Sequence, residues 1–148
     1  MTEDWFEFLE ALSRMGARFL VVGAHALAVH GVPRGTQDLD VWIDPDSENA
    51  KRVWTALERF GAPAEALGLS MDDLSRPETV IQFGLPPNRI DLLTAVTGIA
   101  GFEEAWQDRE EHVIRDLPIP FIGRRALVAN KRATGRMKDL ADLEALGE

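Results

Sequence analysis

Two carboxylates stand two residues apart in the segment from Asp38 to Asp44, which reads Asp-Leu-Asp-Val-Trp-Ile-Asp. Its odd-numbered positions are all apolar, so the segment is predicted to form a β-strand with Asp38 and Asp40 on one face. Neighbouring carboxylates repel each other, and a divalent cation such as Mg²⁺ relieves that repulsion. Turns and helix caps also produce this pattern, so a structural explanation stays open beside the metal-binding one.

A third carboxylate, Asp91, lies between Ile90 and Leu92 in a second strand-like segment. A carboxylate within an apolar strand is costly unless it is paired or binds a metal. If the two strands are neighbours, three carboxylates converge, and two Mg²⁺ ions about 4 Å apart would neutralise them and hold nucleotide phosphates. The alternative is a solvent-facing Asp91 paired with Arg89.

A glycine turn, Gly23-Ala24, separates a predicted buried strand from an alanine-rich helix that ends at His30-Gly31. Free N–H groups at a helix N-terminus bind anions, and glycine lets a phosphate approach the backbone. The turn is therefore a candidate phosphate site, although glycine also serves such turns for geometry alone.

The elements that would position these residues are predicted from hydrophobic spacing. Helices are expected at residues 2–16, 24–30, 46–60, 102–109, 124–133 and 136–146, and strands at 18–22, 38–44, 79–83 and 89–96. A short helix is expected around 64–67 and a turn around 71–74. Pro118 and Pro120 restrict residues 113–122 to an edge strand or an extended arm.

This alternation predicts an α/β or α+β fold, in which helices cover a small mixed β-sheet, and a single domain over residues 1–148. The absence of cysteine excludes disulfides, thiolate zinc sites and a cysteine nucleophile, and it suits a cytoplasmic location. The longest nearly apolar stretch, residues 19–29, is too short to cross a membrane. The acidic start, Met-Thr-Glu-Asp-Trp, is not typical of a secretory signal.

Charge is distributed unevenly along the chain. The net charge is −9, which argues against extensive binding of duplex DNA. Residues 124–138 nevertheless contain six basic side chains and no acidic one, which leaves 10 basic and 25 acidic side chains elsewhere. This basic segment is either a local anion site or two solvated helix faces.

Two motifs together resemble a known family. The stretch from Val22 to Asp40 (VGAHALAVHGVPRGTQDLD) is similar to the opening motif of the minimal nucleotidyltransferases of the DNA polymerase beta superfamily. The run from Asn130 to Asp142 (NKRATGRMKDLAD) is similar to their closing motif. More narrowly, the chain resembles the bacterial group related to abortive-infection and toxin–antitoxin nucleotidyltransferases. The resemblance spans residues 17–143.

The resemblance implies the transfer of a nucleoside monophosphate from an NTP to an acceptor, with pyrophosphate leaving. Asp38 and Asp40 match the metal-binding pair, and Asp91 matches the third carboxylate, which helps to activate the attacking oxygen. Gly23 matches the glycine beside the triphosphate. Many members follow it with serine, whereas this chain has Ala24, so only backbone N–H groups can contact phosphate there.

Further residues are expected around this centre. Lys131 lies near the apolar face of its helix and is expected to contact the triphosphate. Arg34 is expected to touch either a phosphate or an acid, and Thr36 to steady the loop before the carboxylates. A salt-bridge network is predicted for Lys138, Asp139 and Asp142. Trp42, His25 and His30 are expected to be packing residues.

The function predicted from the sequence is therefore Mg²⁺-dependent nucleotidyl transfer, with two ions that Mn²⁺ can replace. A tRNA 3′ end, a protein hydroxyl and a small molecule are all open as acceptors. The alternative is a catalytically silent binding module that acts as a toxin–antitoxin or regulatory partner. A cognate partner protein or a second copy of the chain is an expected partner, and a membrane is not.

Overall fold

Six strands form one mixed sheet at the centre of the molecule, whose computed structural model describes all 148 residues. The strands are β1 (Phe19–Val22), β2 (Asp38–Ile43), β3 (Val80–Phe83), β4 (Arg89–Leu93), β5 (Glu110–Ile114) and β6 (Leu117–Phe121), in the spatial order β3-β4-β2-β1-β6-β5. The helices are α1 (Glu3–Arg14), α2 (Gly23–Val29), α3 (Ser47–Phe60), α4 (Phe102–Gln107), α5 (Arg124–Thr134) and α6 (Met137–Ala145). A 3₁₀ turn covers Met71–Ser75. The predicted α/β class is confirmed.

Strand β2 lies between β4 and β1 in the sheet. It pairs antiparallel with β1 and parallel with β4. The parallel register sets Asp40 beside Asp91 and Asp38 beside Arg89, and the antiparallel register sets Asp40 beside Val22. The predicted neighbourhood of the two aspartate-bearing strands is therefore present.

The opposite face of these strands is the main core. Leu39 and Ile90 are neighbours across β2 and β4, and Phe83 of β3 continues the same row. Phe8 of α1 packs edge-on against Phe60 of α3 and against Phe83, with ring centroids 5.3 Å and 5.5 Å apart. Helices α1 and α3 thus cover the apolar face, and the carboxylates are left on the other.

Capping interactions define the ends of the two long N-terminal helices. The Thr2 hydroxyl accepts from the backbone N–H of Trp5 at 3.2 Å, and Asp46 accepts from the N–H groups of Glu48 and Asn49. Gly61 ends α3 in the left-handed conformation, with φ of 87°. Thr2 and Asp46 thus accept from free N–H groups of the first turn, and Gly61 provides the left-handed residue that commonly ends a helix. None of the helices combines the length and apolar composition that a bilayer crossing needs.

The proline-containing segment differs from the prediction. It forms two strands, and β6, which holds Pro118 and Pro120, lies inside the sheet while β5 is the edge. Ile122 donates its N–H to Val21 of β1, and residues 118, 120 and 122 face the same side, so both prolines turn their missing donor towards β1. Because β6 meets β1 at one register pair only, Val21 with Phe121, no ladder bond is lost.

Two smaller differences concern boundaries. Residues 64–67 form hydrogen-bonded turns rather than the expected short helix, and β4 ends at Leu93 rather than at residue 96. Beyond that point Thr94 still donates its backbone N–H to the Thr79 carbonyl at 3.0 Å, but its hydroxyl replaces its carbonyl as the acceptor for Thr79 N, at 2.8 Å, and donates to the Arg76 carbonyl at 2.7 Å. Propensity alone does not reveal such a side-chain substitute for a strand bond.

Candidate active site

Three carboxylates project from one face of the β2–β4 pair. Asp40 and Asp91 are direct register partners, and Asp38 lies one alternate position earlier on β2. Asp91 is buried, whereas Asp38 and Asp40 are half-buried. The side-chain periodicity of a strand therefore brings together the three residues that the sequence singled out.

The positively charged side chain of Arg89 lies among these carboxylates. Its Nη2 donates to Oδ2 of Asp38 at 2.9 Å, and its Nε lies 3.4 Å from Oδ1 of Asp91. The predicted Arg89–Asp91 pair is thus present, but Asp91 is buried instead of facing solvent. One guanidinium neutralises one of three negative charges. It also separates Asp38 from Asp91, and no group of three or more metal-ligating side chains is gathered into a ready ligand set.

The surroundings of Asp40 raise the pKa of its carboxyl group. Burial, followed by the charges of Asp91 and Asp38, raises the pKa of Asp40 to about 6. Arg89 offsets this only in part. Oδ1 of Asp91 is also buried without a hydrogen-bond donor. Closely spaced carboxylates with excess negative charge fit a hard divalent cation such as Mg²⁺, because it binds carboxylate oxygens and its positive charge offsets their mutual repulsion.

The glycine turn touches the carboxylates directly. Val22 lies opposite Asp40 in the β1–β2 register, so the next residue, Gly23, turns over the Asp40 side chain. Gly23 has φ of +69°, and a Cβ atom there would collide with Oδ2 of Asp40. No side chain caps the start of α2, so its first N–H groups are free of a side-chain acceptor. Ala24 follows, half-buried, and contributes no hydroxyl.

The loop that leads into β2 is held at two points. The Thr36 hydroxyl donates to the Asp38 carbonyl and accepts from the Asp38 N–H, both at 3.1 Å, which confirms that Thr36 steadies the loop. Nη2 of Arg34 forms an ion pair with Oδ1 of Asp142 at 2.5 Å. Of the two partners expected for Arg34, the structure therefore shows the acid.

Arg34 belongs to an ionic cluster in which Lys131, Asp139 and Asp142 are buried, whereas Arg34 and Arg136 are partly exposed. Nζ of Lys131 lies 3.1 Å from Oδ2 of Asp142 and 3.4 Å from Oδ1 of Asp139. Nε of Arg136 lies 2.8 Å from Oδ2 of Asp139. The Arg136 guanidinium is the largest cause that holds the pKa of Asp139 well below its usual range.

The ionic cluster bears on two expectations for the closing motif. Lys131 is buried and already bonded to two carboxylates, so its contact with a triphosphate stays a prediction. Lys138 is exposed and makes no ion pair, so its predicted place in the network is wrong. Lys131 and Arg34 reach Asp142 instead, because its side chain turns inward and is 1% exposed.

The packing residues take the expected positions. Trp42 is 1% exposed, and its ring packs edge-on against Phe102 at 5.3 Å. His25 packs edge-on against Trp5 at 4.9 Å, and His30 Nε2 lies 2.8 Å from the Ile122 carbonyl. Sequence reasoning missed Gln82, whose Nε2 donates to Oδ2 of Asp91 at 3.4 Å. An amide within the apolar run Val-Ile-Gln-Phe was the available signal.

Comparisons with known proteins identify the fold. No family model matches the chain, and no curated protein matches its sequence. Among solved structures, a Thermotoga maritima protein described as a nucleotidyltransferase is 13% identical, with a TM-score of 0.61 over 95% of this chain and 88% of that one. The lincosamide antibiotic adenylyltransferase LnuA, solved with lincomycin bound, is 15% identical, with a TM-score of 0.57 over 100% of this chain and 97% of LnuA. These likenesses show a nucleotidyltransferase-like fold.

Substitution of Gly23 separates backbone strain from the collision with Asp40. Gly31→Ala is the matched control, because Gly31 also has positive φ, of +100°, but nothing lies within 4 Å of its added Cβ. We expect Gly31→Ala to cost about 1 kcal/mol, from left-handed strain alone. Gly23→Ala should cost about 2–3 kcal/mol, because the Asp40 carboxylate must also move. Urea unfolding measures both, and equal costs would contradict the close contact.

Asp40→Asn tests the raised pKa of Asp40. An acid whose pKa rises on folding, here to about 6, loses stability as pH rises through the window between its unfolded value and about 6. The neutral amide avoids this loss, so Asp40→Asn should be more stable than the parent by about 1–2 kcal/mol at pH near 7 and equal to it at pH near 4. The exposed Asp72→Asn is the control. A pH-independent difference in unfolding free energy would refute the assignment.

Lys131→Met tests the ionic cluster. Removal of one partner from a buried ion pair typically costs 3–5 kcal/mol, and we expect about 3 kcal/mol, because Arg34 and Arg136 still neutralise Asp142 and Asp139. Arg132→Met is the neighbouring control, with an exposed pair to Glu148 that should contribute under about 1 kcal/mol. Chemical denaturation measures both. A Lys131→Met protein as stable as the parent would show that the ammonium is available for other ligands.

Proposed function

We propose that the chain transfers a nucleoside monophosphate from an NTP to an acceptor hydroxyl, with release of pyrophosphate. The observation that carries the proposal is the contact between the glycine turn at Gly23 and the carboxylate of Asp40, which lie in different segments of the chain. The free N–H groups that follow Gly23 are suited to a phosphate, and this glycine rests on the Asp40 carboxylate, which pairs in register with Asp91. A phosphate bound at the Gly23 turn would therefore lie beside the carboxylates that are proposed to bind the metal ions and to accept the proton.

Asp38, Asp40 and Asp91 would hold the divalent cations, Mg²⁺ or Mn²⁺. The donor set is all carboxylate oxygen, which is the preference of these ions, and it carries more negative charge than Arg89 neutralises. When bound, the ions supply charge stabilisation for the phosphates and lower the pKa of the acceptor hydroxyl. Arg89 must then give up its contact with Asp38 wherever the cation takes the same oxygen.

Asp91 is the proposed proton acceptor. Its Oδ1 accepts no hydrogen bond and is paired only with the Arg89 guanidinium, at 3.4 Å, so an acceptor hydroxyl would reach Asp91 when this guanidinium moves aside. The acceptor oxygen forms a bond to the α-phosphorus as the bond to pyrophosphate breaks, and the hydroxyl proton passes to Asp91. Gln82 holds the other oxygen of Asp91 and thereby orients the carboxylate.

The triphosphate would rest on backbone N–H groups at Gly23 and Ala24, and on donors of the ionic cluster. The Arg34 side chain is 40% exposed and uses one nitrogen for Asp142, so its remaining N–H groups are available to a phosphate. Lys131 uses two of its three donors for Asp139 and Asp142 and has one left for the ligand. Thr36 contributes by fixing the backbone of Asp38.

The nucleotide-binding and chemical roles are tested by different variants. Asp38→Ala and Asp40→Ala should abolish metal-dependent NTP binding in calorimetry while leaving the fold intact. Asp91→Asn should bind Mg²⁺–NTP nearly as the parent does but transfer label from an α-labelled NTP about 100-fold more slowly or worse, as expected for a lost general base. The exposed Glu65→Gln is the control and should change neither.

Three results would contradict the proposal in different ways. A fully active Asp91→Asn would reduce Asp91 to a partner of Arg89. Unchanged Mg²⁺–NTP binding in both Asp38→Ala and Asp40→Ala would place the metal elsewhere. A parent that binds NTP but transfers nothing to any acceptor would favour the catalytically silent module.

A further inference from the structure

An open cavity of 780 Å³ begins one row of side chains away from Asp40 and Asp91. It lies between the segment from Pro77 to Val80, the loop from Thr94 to Gly101 and the start of α4, with Trp42 in its wall. Its volume falls within the range of about 300–1,000 Å³ that is typical of small-molecule sites. None of the residues assigned above to metal, proton transfer or phosphate lines it.

The strand register places this cavity next to the reacting groups. Val80, Leu93 and Trp42 form one row across β3, β4 and β2, and Gln82, Asp91 and Asp40 form the next row on the same face. Adjacent rows on one face are two residues apart, or about 7 Å. An occupant that rests on Trp42 can therefore extend a hydroxyl group to Asp91.

The cavity wall is held in place by α5. Asn130 donates its side-chain N–H to the Thr97 carbonyl at 2.8 Å. Gly98 lies so close to α5 that a Cβ atom on it would approach Ala133 Cβ at 2.6 Å and the Ala129 carbonyl at 2.9 Å. The loop is thus seated on a helix, and the cavity exists before any ligand binds, which lowers the entropic cost of binding.

The chemistry of the lining restricts the occupant. Trp42 adds ring surface to the wall, and its indole Nε1 is buried away from the open space. Thr97 and Thr79 add hydroxyl groups, while Val96, Ile99 and Phe102 add apolar surface. The one charged residue in the lining is acidic, Glu78, and there is no lysine or arginine.

We propose that this cavity binds the acceptor, and that the acceptor is a small, neutral or cationic compound with several oxygen functions and an apolar face. This inference rests on the proposed nucleotidyl transfer. Oxygen functions of the acceptor meet the Thr79 and Thr97 hydroxyl groups, its carbon skeleton packs on the apolar wall, and a hydroxyl group reaches Asp91. A cationic group, where the acceptor has one, lies towards Glu78.

Nucleic acid fits this cavity poorly. RNA binding depends on lysine and arginine contacts to phosphates, and the lining offers none. The arginines of the basic segment lie at another surface, where Arg124 and Arg132 pair with the Glu148 carboxylate and Arg125 lines the same depression. Transfer to tRNA is therefore the outcome that the cavity argues against.

Blocking the cavity tests the inference. Val80 lines it and is 56% exposed on the edge strand β3, so Val80→Trp should fill the space without disturbing the core. Val113→Trp is the matched control, because Val113 is 70% exposed on β5 at the opposite edge of the sheet. Each protein is incubated with α-labelled NTP and three acceptor pools: total tRNA, unlabelled cell protein, and an ultrafiltered metabolite extract separated by charge.

We expect label in the neutral or cationic metabolite fraction. Val80→Trp should reduce that transfer by about tenfold or more, because displaced acceptors lose alignment with the phosphorus, while calorimetric Mg²⁺–NTP binding stays that of the parent. Val113→Trp should change neither. A parent that fails to bind NTP would overturn the proposed function itself.

If NTP binds, three outcomes overturn the acceptor site alone. Label that appears only in tRNA or protein contradicts a small acceptor. Label in the anionic metabolites contradicts the charge argument from Glu78. Transfer that is equal in Val80→Trp and in the parent shows that the cavity does not hold the acceptor.

Discussion

The parallel pairing of β2 with β4 is the constraint on which the candidate site depends. It sets Asp40 beside Asp91, and the resulting repulsion, together with burial, raises the pKa of Asp40 to about 6. Folding thus concentrates negative charge where sheet packing gains nothing from it. The apolar face of the same strands supplies the compensating stability, because Leu39 and Ile90 pack under α1 and α3 while the carboxylates lie on the other face. The strand pair is stable on one side and electrostatically strained on the other.

Arg89 sets the charge balance of this strained side. Its guanidinium lies between Asp38 and Asp91, yet one positive charge cannot balance three carboxylates. The same residue is tied to the core, since its backbone carbonyl accepts from Trp5 Nε1 at 3.1 Å. Its main chain is therefore fixed while its side chain, about one third exposed, keeps room to move. The guanidinium can therefore move away from the carboxylates without disturbing the core.

Much of the site was predictable from the sequence, because strand periodicity decides which side chains share a face. The alternation of side chains along a strand was enough to place Asp38 and Asp40 on one face. To place Asp91 beside them, it was also necessary to assume that the two strands are neighbours. The ion pairs were less predictable. Asp142 was expected near Lys138, four residues earlier on the same helix, whereas it binds Lys131 and Arg34 from other elements. Local spacing carries no information about which distant cation a buried acid meets.

The proline strand shows the same limit for the fold. Pro118 and Pro120 were expected to confine their strand to an edge, and the strand lies inside the sheet. Proline is excluded from an inner strand because it has no N–H to donate to a neighbouring strand. Both prolines turn this position towards β1, which β6 meets at a single register pair, so no hydrogen bond is lost. The cavity beside Trp42 could not be found from the sequence either, because its lining comes from three separate segments of the chain.

The bond between Arg34 and Asp142 also has a consequence for biosynthesis. Asp142 lies on α6, more than 100 residues after Arg34, which lies in the loop that enters β2. A ribosome releases the chain from its N-terminus, so the β2 loop emerges long before its ionic anchor does. The sheet can assemble around β1, β2 and β4 while this loop is still untethered. Anchoring of the loop is thereby delayed until α6 has emerged and docked and Asp142 reaches Arg34.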